Sequence, residues 1–144
     1  MMKYKLLNDD IQKTYALVLE SGEEVMACLN DFAGKNDIHS ARFSAIGAFS
    51  HTTVGFFDFS IKDYKKNVFD EQMEVLTITG DISTYKGKIK IHTHAVLGRK
   101  DGTAHGGHLL KAIVHPTLEI IVTSSVPYLE RAMDADSGIP LIKL

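Results

Sequence analysis

Cysteine, a surplus of either charge and long apolar runs are scarce in this chain, and each shortage removes a class of protein. Cys28 is the one cysteine in 144 residues, so no disulfide can close within the chain and an oxidising compartment gains no support. The formal net charge is -2 and the pI is near 6.4, which gives no electrostatic pull toward nucleic acid. There is no Arg-Gly-Arg-Pro core of an AT-hook, no helix-turn-helix and no basic stripe. Nothing approaches the roughly 20 apolar residues of a membrane-spanning helix, and the opening MMKYKLLNDD lacks the apolar core of a signal peptide. The expectation is a soluble cytoplasmic protein with no membrane partner, forming a single domain over residues 1–144 around one hydrophobic core.

What is present reads mostly as strand. Met2 to Leu7 and Thr14 to Glu20 have strand composition, with a polar turn at Asn8-Asp9-Asp10. Ser21 and Glu24 have the spacing of a capping box, in which the Ser21 hydroxyl would meet the Glu24 amide. Val25, Met26, Leu29 and Phe32 then recur at helical spacing, and Gly34 is placed to end the helix. Cys28 falls inside it with no motif that would make it a nucleophile, so it reads as a structural thiol. Strands follow at Ala41 to Phe49, with a bulge expected at Gly47, at Thr52 to Phe59, and at Glu71 to Thr84, where Gly80 marks a close approach. Phe56, Phe57 and Phe59 are expected to supply core or interface bulk, core packing being favoured over a cradle for a ligand. Lys62 to Lys66 reads as a solvated hairpin, with phosphate binding as the alternative. His115-Pro116 is expected to end one strand, and Thr117 to Ser125 to form another. The tail from Val126, containing Pro127, reads as a short helical turn followed by an extended end at Ile142 to Leu144. One helix among many strands gives an α+β fold on a largely antiparallel twisted sheet.

Five of the seven histidines fall between Lys88 and Pro116. Alternation there sends Ile89, Ile91, Thr93, Ala95 and Leu97 to one face and Lys88, Lys90, His92, His94 and Val96 to the other. His92 and His94 are therefore neighbours on one face, as a chelating pair requires. A turn-rich string from Gly98 to Gly102 follows, and the chain resumes at Ala104-His-Gly-Gly-His108. That return brings His105 or His108 back beside the pair. Three convergent imidazoles with a fourth position for water or substrate are a common zinc ligand set. The Gly-Gly pair suggests a close backbone approach, or a bulge that re-aims His108.

HTHAVLGRKDGTAHGGHL followed by PTLEIIV, with ARFSAIGAFSHTTVGFFD at 41 to 58 and EQMEVLTITGDIS at 71 to 83, resembles the PPC (plant and prokaryote conserved) domain, in its stand-alone prokaryotic form. The fold of that family is similar to acetolactate decarboxylase, where zinc is held by a His-x-His pair and a Gly-Gly-His. The resemblance implies His92, His94 and His108 as metal ligands, with His105 as the competitor or an additional ligand. It also implies a homotrimer. For the metal, imidazole ligands favour zinc, with other divalent transition metals as alternatives.

Three functional readings follow. In the first, the chain binds a divalent metal and leaves catalysis open. If it is a metal-dependent lyase for a small anionic substrate, Arg99 or Lys100 would bind the anion and Glu119 or Glu74 would move a proton. In the second, it is a DNA-binding or regulatory protein, a role for which only Lys86, Lys88 and Lys90, alternating onto one face, speak. In the third, it is an assembly module whose histidines make surface hydrogen bonds.

Overall fold

The computed structural model describes residues 1–9, 11–125 and 129–143. Its elements, in order, are strands β1 (Lys3–Asp9) and β2 (Lys13–Glu20), helix α1 (Val25–Lys35), and strands β3 (Ala41–Asp58), β4 (Asp63–Phe69), β5 (Met73–Tyr85), β6 (Lys88–Gly98), β7 (Ala104–Ser124), β8 (Glu130–Met133) and β9 (Pro140–Lys143). The architecture is the expected α+β fold. All strand pairings among the described residues are antiparallel except that of β5 with β8. Strand β3 pairs with β5, β5 with β6, β6 with β7, and β7 with β3 again, so these four strands close a circuit. Period-two alternation turns one side of that circuit into the core, with Phe43, Phe49, Ile78, Ile82, Leu97, Leu109, Leu118 and Ile120 all buried. Helix α1 adds Val25, Leu29, Phe32 and Ala33 to the same cluster. Phe32 meets the edges of Tyr4 and Tyr15, with ring centroids 5.3 and 5.2 Å away. Burying a side chain of that size contributes about 1.5–3 kcal/mol.

Several local expectations are corrected. Ser21 and Glu24 form no capping box. Glu24 is itself the N-cap, its carboxylate accepting from the amides of Met26 (3.1 Å) and Ala27 (2.8 Å), while the Ser21 hydroxyl bonds Nδ1 of His115 and the Pro116 carbonyl. A carboxylate one residue before the first helical turn serves the free amides directly and suits the positive end of the helix dipole. Gly34 does not end the helix, which runs to Lys35. The reversal falls on Asp37 at φ 53°, with the Ile38 amide returning to the Ala33 carbonyl at 2.9 Å.

Strands β3 and β7 are each continuous where two strands were expected. Pro116, reached through a cis peptide bond, does not break β7. It lies where the β3–β7 register slips between Gly47/Leu118 and Phe49/Val114, a bulge in which a missing amide costs no ladder bond. The bulge expected at Gly47 is present, and a Cβ there would collide with the Thr117 carbonyl. Phe56 and Phe59 are exposed, not core. β7 leaves β3 at Gly55, and beyond it β4 is the one strand alongside β3 among the described residues, so positions that would face a core meet solvent. Lys62 to Lys66 forms the expected hairpin arm. Among the described residues the tail is a β8–β9 hairpin, where a short helical turn and an extended end were expected. β8 docks on β5, and Ile142 and Lys143 thereby join the sheet. Asp10, Val126, Pro127 and Leu144 lie outside the described residues.

Cys28 packs partly against the core. Burial, reinforced by the carboxylates of Glu23, Glu24 and Asp31, pushes its thiol up to about 11. The thiolate fraction at pH 8 is then about a hundredfold below that of an ordinary thiol. Iodoacetamide should label the folded protein correspondingly slowly at pH 8, at a rate that climbs with pH up to about 11. Labelling at the rate of a free thiol at pH 8 would contradict the structural role.

Candidate metal centre

The β6–β7 hairpin builds the site. Gly102 at φ 83° and the Asp101 carboxylate, which accepts from the Thr103 amide at 2.9 Å, shape its turn. The register that follows sets Gly98 opposite Ala104, Leu97 opposite His105, and His94 opposite His108. Residues directly opposite in a sheet share a face. His108 therefore stands with His94 on the outer face, and His92 joins them one pleat along β6. Nε2 of His92 and Nε2 of His94 are 3.1 Å apart. The ring centroids of His92 and His94 lie 5.1 and 5.5 Å from that of His108.

Gly106 and Gly107 permit this approach. A Cβ on Gly106 would sit 2.7 Å from the Ala95 carbonyl oxygen, and one on Gly107 would sit 2.7 Å from that of Gly55. Both contacts are with backbone, which cannot swing aside. Gly80 does the same for β5, where a Cβ would strike the Phe43 ring and the His92 carbonyl.

The three histidines can hold a metal ion. One candidate ligand atom from each lies within 4.8 Å of the others. A tetrahedral zinc with nitrogens at about 2.0–2.1 Å separates those nitrogens by roughly 3.4 Å, so small rotations complete the set. Nδ1 of His108 is buried and has no hydrogen-bond partner among the described residues, a costly arrangement for a polar atom. Burial, assisted by His92, His94 and Lys90, lowers the His108 pKa to about 4. Burial, with Arg131 and His94 adding to it, lowers that of His92. Both imidazoles are thus neutral at pH 7, the form that ligates metals.

Three supporting residues had no counterpart in the sequence reading. Arg131 of β8 is buried, and its Nη2 donates to both oxygens of Asp81 at 2.8 Å. The same guanidinium donates to Ser83 Oγ (2.8 Å) and to the Pro140 carbonyl (3.1 Å), and Nη2 lies 3.4 Å from Nδ1 of His92. Asp81, opposite His92 in the β5–β6 register, places Oδ2 3.9 Å from that same Nδ1. At that distance Asp81 makes no hydrogen bond to the ring, but its charge opposes the lowering of the His92 pKa by burial and Arg131. Tyr64 of β4 stacks on His108, centroids 4.8 Å apart. Asp81 carried a weak signal, as a carboxylate in an apolar strand. Arg131 and Tyr64 carried none that strand periodicity could supply.

The remaining candidates lie elsewhere. His105 shares Leu97's face and packs on Phe69, centroids 5.2 Å apart. Arg99 donates to Glu71 at 2.6 Å beside a cleft of about 510 Å³ lined also by Glu74 and Lys100. It lies five positions beyond His94, just past the end of β6, roughly 16 Å of strand. Glu119 is exposed and opposite Val18 and Ile46. It lies on β7, eleven positions beyond His108, roughly 36 Å of strand at about 3.3 Å per residue.

Over residues 7–126 the sequence matches the family described as the Plants and Prokaryotes Conserved (PCC) domain. No curated protein matches it. A solved structure from Bacteroides thetaiotaomicron, provisionally named a DNA-binding protein, is 31% identical, with a TM-score of 0.92 over 99% of this chain and 97% of that one. A metal-containing protein from Archaeoglobus fulgidus is 30% identical, with a TM-score of 0.85 over 100% of this chain and 99% of that one. The α-acetolactate decarboxylase of Bacillus subtilis, 13% identical, shares the fold alone, with a TM-score of 0.56 over 88% of this chain and 58% of that one.

Arg131→Met should destabilise the fold by about 2–4 kcal/mol in denaturant titration, because it strips Asp81 of its partner inside a half-buried network. A loss below about 1 kcal/mol would show that the network contributes little.

Proposed function

Because the chain belongs to the Plants and Prokaryotes Conserved domain family, we propose that it is a cytoplasmic member that binds one divalent metal through His92, His94 and His108. The observation that carries this reading is the convergence of three imidazoles, one with an orphaned buried nitrogen, on a single outer-face position. Zinc is the proposed ion, since neutral imidazole nitrogens at these separations suit it. The metal-containing relative from Archaeoglobus fulgidus supports the reading. When bound, such a metal supplies a Lewis acid and a water of lowered pKa. Tyr64 covers His108 on one side, and Arg131, paired with Asp81, stands beside the ring of His92.

A homotrimer is part of the proposal. Its support is the apolar surface left exposed at Ile46, Phe56, Phe59, Ile61 and Ile121, which an oligomer would cover. DNA binding is the second reading. It is favoured by the relative from Bacteroides thetaiotaomicron and by Lys86, Lys88 and Lys90, all exposed around the β5–β6 turn. The formal charge of -2 weighs against strong binding of that kind.

Zinc titration of purified variants tests the site. His92→Ala, His94→Ala and His108→Ala should each abolish stoichiometric binding without unfolding the protein by circular dichroism, and His105→Ala should leave it intact. Full occupancy in the first three variants would refute the assignment.

A further inference from the structure

The metal reading leaves one question: what else the outer face recognises beside the three histidines. Strand register lays out that face in rows. Arg42 of β3 is opposite Asp81 of β5, and Asp81 is opposite His92 of β6. In the neighbouring row, Ser44 is opposite Thr79, Thr79 opposite His94, and His94 opposite His108. Two shallow clefts follow these rows. One of about 330 Å³ lies along Thr79, Asp81, His92 and His94, and one of about 340 Å³ lies along Arg42, Ser44 and Thr79. Thr79 borders both, so they form one trough from the histidines to Arg42.

Charge in this trough is unbalanced. Arg42 is exposed and makes no hydrogen bond or ion pair among the described residues. The carboxylate opposite it, Asp81, is already engaged by Arg131. Arg42 is thus left without a carboxylate partner among the described residues, and Lys90, whose charge acts on both His92 and His108, adds a further cation. This surplus sits on a chain of formal charge -2. An unpaired guanidinium on the same face as the three histidines is a receptor for planar or tetrahedral oxyanions. Arg42 is two strands from β6, roughly 10 Å at about 4.8 Å per strand, a gap that an extended arginine and a small molecule can bridge.

We propose that the trough binds a small oxyanion, a carboxylate or a phosphate, held at one end by the metal at the three histidines and at the other by the guanidinium of Arg42. The proposal rests on the metal reading. It makes Arg42 the recognition residue for ligand, a role distinct from holding the metal. Arg99, engaged by Glu71, is not needed for it.

Zinc-loaded protein is titrated calorimetrically with succinate and, separately, with inorganic phosphate. Wild type should bind at least one of them, and which one binds identifies the oxyanion class. Arg42→Gln should weaken that binding about tenfold or more, with zinc stoichiometry and melting temperature unchanged. Lys111→Gln, which removes a cation from an exposed position of β7, should bind as wild type does. Equal affinity in wild type and Arg42→Gln, an equal loss in Lys111→Gln, or no binding of either probe by zinc-loaded wild type would overturn the proposal. Failure of wild type to take up zinc would instead overturn the metal reading, and the oxyanion proposal with it.

Discussion

Everything at the candidate centre depends on the register of one hairpin. The turn between β6 and β7 fixes Gly98 against Ala104, and four pairs later that same register delivers His108 opposite His94. A slip of one residue would send every side chain of the return strand to the other face. The histidines would then be divided between core and solvent. Register is held here from both sides. Buried Ala95 and Leu97 demand the inner face, and Gly106 and Gly107 lie so close to the Ala95 and Gly55 carbonyls that no larger residue fits without moving backbone. The glycines contribute no chemistry, yet they are what lets two strands bring three imidazoles together.

Behind the imidazoles lies a second layer that secures one of them. Arg131, Asp81 and Ser83 connect β8 to β5, and Asp81 faces the Nδ1 edge of His92. A buried guanidinium is tolerated because its donors are satisfied by a carboxylate, a hydroxyl and a carbonyl. The network thus couples attachment of the C-terminal hairpin to the ring that faces the metal position. Burial, with charged neighbours adding to it, keeps His92 and His108 neutral, which favours metal over proton at these nitrogens.

Much of this was legible in the sequence where local rules suffice. Period-two alternation gave β6 and both of its faces, glycines inside strand runs gave the bulge at Gly47 and the close approach at Gly80, and the separate motifs pointed to the family and to the fold. Parity could also have separated His105 from His108. They are three residues apart on a strand, so they face opposite sides, and only one of them can join His94. The errors came where long-range contacts override local signals. Ser21 and Glu24 have a capping-box spacing, but the approach of β7 gives Ser21 a partner in His115 and leaves Glu24 to cap alone. Pro116 looks like a strand end until the β3 register absorbs it in a bulge. Phe56 and Phe59 read as core because strand composition does not reveal where a neighbouring strand departs. Arg131 was invisible because its partners are 48 and 50 residues away.

The most direct test of the account is the metal content of tag-free protein purified without chelator, determined by elemental analysis and expressed per chain. The account predicts close to one zinc per chain, or one after reloading with zinc. No metal in the purified protein, and none retained after reloading, would contradict it and leave the three histidines as surface residues.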